Sequence, residues 1–204
     1  ILCRQKKRSK PNRQGEVGQL IVGNAFDTLA MDIIVGLPDD KGYRHILSII
    51  DVFTRYAWAI PIKDRSAVSV ADSLANHVFQ HHGSFRVLRT DNEGSFTSEM
   101  MQRLYRQWGI THLTTVPYHS ESNGHVERLH RFLGAQLTIL AKERTEWAQH
   151  VQACVFAYNV GVHTSIGYSP YFLMHGRRPR LPVEFILGTR HENDDEDGRG
   201  KRRN

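Results

Sequence analysis

Two apolar runs, Tyr43 to Asp51 and Tyr56 to Ile62, are separated only by Val52–Arg55. A joint that short cannot carry a crossover, so the two runs must be antiparallel neighbours. Upstream, Ala30-Met-Asp-Ile-Ile-Val35 is rich in β-branched residues and is closed by Gly36-Leu-Pro38 and the turn residues Asp39, Asp40, Lys41 and Gly42. It reads as a first strand, and the three together make a meander. The pattern then changes period. Ser66 suits the N-cap of a helix over Ala67 to His81, with Val70, Ala71, Leu74 and Val78 turned inward. Phe85 to Thr90 reads as a fourth strand, Ser98 to Trp108 as a helix ended by Gly109, and Ile110 to Thr115 as a fifth strand.

Past a polar loop, Val126, Leu129, Leu133, Leu137 and Leu140 recur at three- and four-residue intervals, which stacks them on one face of a long helix starting near Asn123. A further helix carries the stripe Trp147, Val151, Cys154, Val155, Tyr158 and Val162, and Pro170 to Pro182 reads as an irregular extension with a basic patch at Arg177, Arg178 and Arg180. A meander followed by strand–helix–strand–helix predicts an α/β fold. Its sheet has five strands of mixed direction, three antiparallel and then two parallel, with helices on both faces.

At 204 residues, 40% of them hydrophobic, the chain can bury one good core and carry some extensions. No apolar run approaches a membrane span and no secretory segment opens the sequence. Cys3 and Cys154 stand far apart in unlike settings, which fits a reducing intracellular compartment better than a disulfide framework. The net charge of +6 is matched entirely by the first thirteen residues, where Arg4, Lys6, Lys7, Arg8, Lys10 and Arg13 meet no acid. Such an arm is either a solvated tail or a phosphate-tracking segment that gains affinity by releasing counterions. Residues 189–204, with five acids, five bases and almost no apolar side chain, are expected to be disordered.

Three acids fall at telling places. Asp32 lies inside a strand of apolar neighbours, where an unpaired carboxylate costs several kcal/mol unless a partner, a cation or a cleft relieves it. Asp91 follows directly on the fourth strand, in Arg89-Thr-Asp-Asn92. If strands one and four are parallel neighbours, the two carboxylates meet near strand carboxyl ends, where such sheets bind ligands. Glu127, one turn into the long helix at the border of its apolar face, can close the cluster from above. Three carboxylates so placed need a counter-charge, and hard divalent cations supply it. The intervals of 59 and 36 residues carry little weight alone; the strand, strand-end and helix settings carry more. His77, His81 and His82 sit at helical spacing on a polar face and are expected to face solvent.

Several segments in this order resemble the catalytic core of retroviral-type integrases, closest to the Ty3/gypsy class of LTR retrotransposons. They are Phe26-Asp-Thr-Leu-Ala-Met-Asp32, Ile49-Ile-Asp-Val-Phe-Thr-Arg55, Thr90-Asp-Asn92 with Phe96-Thr-Ser98, and Pro117-Tyr118 through Ser122-Asn-Gly-His-Val-Glu-Arg128. Phe156-Ala-Tyr-Asn159, His163, Ser169-Pro170 and Gly176-Arg-Arg-Pro-Arg-Leu-Pro182 continue the match. The resemblance implies a ribonuclease-H-like fold and an aspartate, aspartate, glutamate triad at Asp32, Asp91 and Glu127. It implies two Mg2+ (or Mn2+) ions held about 3.5–4 Å apart by those acids for in-line phosphodiester transfer. Water would trim the element's DNA end, and the freed 3′-hydroxyl would then attack host DNA. Tyr118, Asn123, Arg128 and Arg131 would touch DNA, with Lys6, Lys7, Arg8 and Lys10 following from the basic arm.

By the same resemblance, residues 1–14 are a basic linker after a zinc-binding domain lying outside this chain, whose last cysteine is Cys3, so no zinc site is expected here. Residues 15–188 are the core with a helical extension, and 189–204 a charged tail. The implied partners are the element's DNA ends, target DNA, further copies of the chain and a host chromatin factor, in the nucleus. This sequence departs from the family in having Glu93 and Gly94 where a glycine and then Ser or Thr are usual, Ser120 for a proline, His125 for a glutamine, and Gly134 where some retroviral relatives carry a lysine. A ribonuclease H would share the fold and metals but usually has four carboxylates and none of the Pro-Tyr to Asn-Gly-x-x-Glu pattern. A cut-and-paste transposase would share the chemistry, but the Phe-Ala-Tyr-Asn and Ser-Pro extension argues against it. A domesticated scaffold is expected to have lost an acid.

Overall fold

The computed structural model describes residues 23–114, 124–141 and 146–181. Five strands, β1 (Thr28–Ile34), β2 (His45–Asp51), β3 (Ala57–Ile62), β4 (Val87–Thr90) and β5 (Thr111–Thr114), form one sheet in the order β3-β2-β1-β4-β5. β1 runs antiparallel to β2, with Asp32 opposite Ser48, and β2 antiparallel to β3. β4 lies parallel to β1 and β5 parallel to β4. The mixed sheet expected from the short joint and the later change of period is therefore present, strand for strand.

The helices are α1 (Ala67–Leu74), α2 (Gly94–Thr97), α3 (Glu99–Gln107), α4 (Gly124–Leu140), α5 (Val151–Val160) and α6 (Pro170–His175). α1 starts where Ser66 Oγ accepts from the Ser69 N–H, continues through a π-type turn at Ala75–Phe79 and a last turn at Gln80–His82, and stops at Gly83. That glycine takes φ +79°, which a side chain would resist. The period-two alternation of β1 divides the core. Leu29, Met31 and Ile33 pack with Leu47, Ile49, Val70, Leu74, Leu88 and Met101 on the α1/α3 face. Ala30, Ile46 and Ile50 pack with Val126, Leu129, Leu133, Trp147, Val151 and Val155 on the α4/α5 face. Each fully buried leucine or isoleucine contributes about 1.5–3 kcal/mol.

Four expectations need correction. Leu140, at the last position of α4, is 41% exposed, and Val162, beyond the end of α5, is 71% exposed; both stand past the edge of what their helices cover. Pro170–His175 is a helix and not irregular chain: Ser169 Oγ accepts from the Phe172 N–H, Pro170 fills the first turn, and Gly176 at φ +68° ends it. The short α2 was not anticipated. His82 does not simply face solvent: it is partly buried, its ring 5.3 Å from both Phe26 and Trp58, while His77 and His81 are exposed as expected.

Candidate active site

Asp32 lies on β1 between Met31 and Ile33, whose side chains belong to the α1/α3 face, so alternation turns Asp32 toward α4. It is partly buried, and its Oδ1 accepts from the Ile33 N–H at 2.8 Å. Burial pushes its carboxyl up from the usual range to about 6, with the neighbouring charges of Asp91, Glu93 and Glu127 adding to the rise. Its backbone carbonyl accepts from Ser48 Oγ at 2.9 Å, and Ser48 Oγ is 2.7 Å from His130 Nε2 on α4.

Parallel pairing of Ala30 with Arg89 carries Asp91, just past the end of β4, to the level of Asp32. Asp91 is exposed; its Oδ1 accepts from the Glu93 N–H at 3.0 Å, a local turn that sets the carboxylate at the strand end. Its backbone carbonyl accepts from Thr90 Oγ1 at 2.6 Å. Thr90 Oγ1 is 2.8 Å from His112 Nε2 on β5, and Gln102 Nε2 on α3 is 3.0 Å from His112 Nδ1. Glu93 adds a fourth acid to this end of the sheet, held by Arg65 at 2.8 Å. Its position was visible in the sequence only as a departure from the family's glycine.

Glu127 stands exposed in the first turn of α4, where a carboxylate is favoured by the helix dipole. Arg128 and Arg131 are exposed on the same helix. Arg128 contacts His125, whose ring is pushed down to about 4 by burial, with Arg55 and Arg128 adding to the fall. Arg55, at φ +65° in the β2–β3 turn, donates to the Val52 carbonyl. Burial also pushes His130 down, with Glu127 pulling the other way. Of Ser48, His130, Thr90 and His112 the sequence marked only Thr90, and that as part of the Thr90-Asp-Asn92 segment with no role of its own, because hydroxyl and imidazole residues in strands and helices carry no distinguishing local pattern. Lys6, Lys7, Arg8, Lys10, Tyr118 and Asn123, together with Cys3, the linker and the charged tail, lie outside the described residues.

Carboxylate oxygens suit a hard divalent cation, and the Asp32 carboxyl, raised first by burial and then by the charges of Asp91, Glu93 and Glu127, is one that a cation would relieve. Among the described residues, no three Asp, Glu, His or Cys side chains stand close enough together to hold an ion. Donor chemistry and charge therefore fit, while Glu127 must approach the two aspartates for a three-carboxylate shell. No helix among the described residues is long and apolar enough to cross a membrane.

Residues 24–120 match the family described as Integrase core domain. The chain is 29% identical over 164 residues to the retrovirus-related Pol polyprotein from transposon 412 of Drosophila melanogaster, covering 79% of this chain and 13% of that polyprotein. It is 24% identical over 162 residues to the transposon Tf2-3 polyprotein of Schizosaccharomyces pombe (strain 972 / ATCC 24843), covering 78% and 12%. The chain thus spans about an eighth of the length of the curated relatives it matches. Its fold is similar to the HTLV-2 integrase catalytic core domain solved in complex with magnesium, with a TM-score of 0.60, 16% identity and coverage of 74% of this chain and 98% of that one. The catalytic core domain of BIV integrase is similar at a TM-score of 0.60 and 21% identity, covering 80% and 99%. The sheet order and these neighbours make this the ribonuclease-H-like fold of integrase catalytic cores.

Proposed function

Because this chain resembles the catalytic cores of retroviral-type integrases, those of LTR retrotransposons among them, we propose that it is a metal-dependent DNA integrase. It would trim the 3′-ends of a retroelement's DNA and join them to host DNA. The observation that carries this reading is the pairing of β1 with β4, which sets Asp32 within β1 level with Asp91 just past β4; burial, with the charges of Asp91, Glu93 and Glu127 adding, lifts the Asp32 carboxyl to about 6. Asp32, Asp91 and Glu127 would hold two Mg2+ or Mn2+ ions. Such ions, when bound, activate the attacking oxygen and neutralise charge on the leaving one in an in-line displacement.

The chain's own residues do the rest. The sheet presents one aspartate within β1 and another just past the end of the adjacent β4, and α4 carries the glutamate. Arg128 and Arg131, exposed on α4, would take DNA phosphates, and Tyr118 and Asn123, which precede that helix in the sequence, would touch the element's DNA end. Lys6, Lys7, Arg8 and Lys10, ahead of the core in the sequence, would track DNA phosphates. The chain would act as a homomultimer in the nucleus, alongside a host chromatin factor.

The test is reversal of strand joining on a preformed branched DNA, assayed with Mg2+ and Mn2+. Cleavage that requires the divalent ion supports the reading. Tight DNA binding without any metal-dependent nicking would make the chain a binding module instead.

A further inference from the structure

We infer that each of the two aspartates is held in register by a hydroxyl–histidine relay, and that Ser48, His130, Thr90 and His112 are positioning residues of the site. This rests on the integrase reading of Asp32 and Asp91. The relays have one chemistry on two different pairs of elements. Ser48 spends its single O–H on the Asp32 carbonyl at 2.9 Å, so the 2.7 Å contact with His130 must be donated by Nε2–H of the ring. Thr90 spends its O–H on the Asp91 carbonyl at 2.6 Å, so the 2.8 Å contact must be donated by Nε2–H of His112. On the far side of His112, Nδ1 accepts from the Gln102 side-chain amide at 3.0 Å, which fixes the same neutral tautomer independently. Burial pushes both rings below the ordinary histidine range, which keeps them neutral at physiological pH.

The two relays approach from different parts of the fold. The first ties α4 to β1 across β2, since Ser48 sits directly opposite Asp32 and faces the helix. The second runs inside the β4–β5 pair and out to α3. Both grip the backbone carbonyl and do not touch the carboxylate, whose Oδ1 in each case takes only a backbone N–H from the same segment. A carbonyl so anchored fixes where the Cα–Cβ bond points, and a site of this kind needs that accuracy, because a shift of about 1 Å can lower a rate about a hundredfold. The first relay carries a second consequence. His130 lies one turn after Glu127 on α4, so the bond that seats His130 on β2 also sets the height of Glu127 above Asp32.

The experiment uses the full chain and the variants Ser48→Ala, Ser48→Thr, His130→Leu, His130→Gln, Thr90→Val, Thr90→Ser and His112→Leu. Ring 15N shifts of the metal-free protein at pH 7.5 should identify His112 and His130 as neutral Nε2–H tautomers, and Ser48→Ala should move only the His130 signals. With Mn2+, reversal of strand joining should fall about ten- to a hundredfold in kcat for Ser48→Ala, His130→Leu, Thr90→Val and His112→Leu, with KM for DNA nearly unchanged. The rise in melting temperature caused by Mn2+ should shrink in the same four variants. Ser48→Thr, Thr90→Ser and His130→Gln, which keep the donors, should recover most of the rate. An Nδ1–H tautomer at either ring overturns the relay, as does equal damage in the conservative variants. An inactive wild-type chain whose rings still show the two tautomers would sink the integrase reading while leaving the relays standing.

Discussion

The side-chain amide of Asn159 hydrogen-bonds both backbone groups of Ala57: its Oδ1 accepts from the Ala57 N–H and its Nδ2 donates to the Ala57 carbonyl, each at 2.8 Å. Ala57 opens β3, the outermost strand on that side of the sheet, and Gln152 Nε2 serves the Ala59 carbonyl at 2.8 Å. Two amides seven residues apart on α5 thus cover a strand edge that would otherwise present unpaired backbone to another chain.

Asn159 is 3% exposed, so Asn159→Ala should leave an N–H and a carbonyl buried without partners and cost about 2–3 kcal/mol. Chemical denaturation measures this directly. Asn159→Asp, which keeps the acceptor but not the donor, should not restore stability. A loss below about 0.5 kcal/mol would mean water replaces the amide without penalty.

Asp32→Asn, Asp91→Asn and Glu127→Gln should each abolish strand joining while leaving the fold intact, since each removes a charge with little change in volume. Asp32→Asn should also stabilise the metal-free chain. Its carboxyl is raised from 3.8 to about 6, so the folded state binds the proton more tightly, and the resulting stability is lost as pH rises through about 6. At pH 8 the neutral amide should gain about 1–2 kcal/mol after allowance for solvent screening. A lower melting temperature at pH 8 would contradict this.

The aromatic seam joining α6 to the sheet should loosen in acid. His175 packs against Tyr56 and Tyr171 at 5.2 and 4.4 Å, and His82 against Trp58 at 5.3 Å. Burial lowers both histidines, so the unfolded chain binds more protons, and stability falls as pH drops from about 6.5 through the lower folded values. Melting temperature and tryptophan fluorescence followed from pH 7.5 to 5 should show the loss, and His82→Phe should flatten part of it. An unchanged slope in that variant would assign the transition to other groups.

Deleting residues 1–13 should weaken DNA binding and flatten its dependence on salt, because the six basic residues there equal the chain's entire net charge of +6. Binding isotherms at several salt concentrations measure the slope. Identical slopes with and without the arm would make it a passive tail.

The sequence by itself determined the strands, their directions and the faces of the helices. A joint as short as Val52–Arg55 and the three- and four-residue spacing of Val126, Leu129, Leu133 and Leu137 are local signals, and chain geometry leaves them one reading. It also marked Asp32, since an acid among apolar strand residues is costly wherever the strand ends up. Only the tertiary structure decided what meets that acid. Ser48 lies sixteen residues along the chain and His130 eighty-two beyond that, and pairing of β1 with β2 under α4 brings them into one line. Glu93, legible in the sequence only as a departure from the family's glycine, joins the same field because β4 ends beside β1. Ends of elements misled for the same reason: whether Leu140 or Val162 is covered depends on how far the sheet extends beneath the helix, and no local period records that.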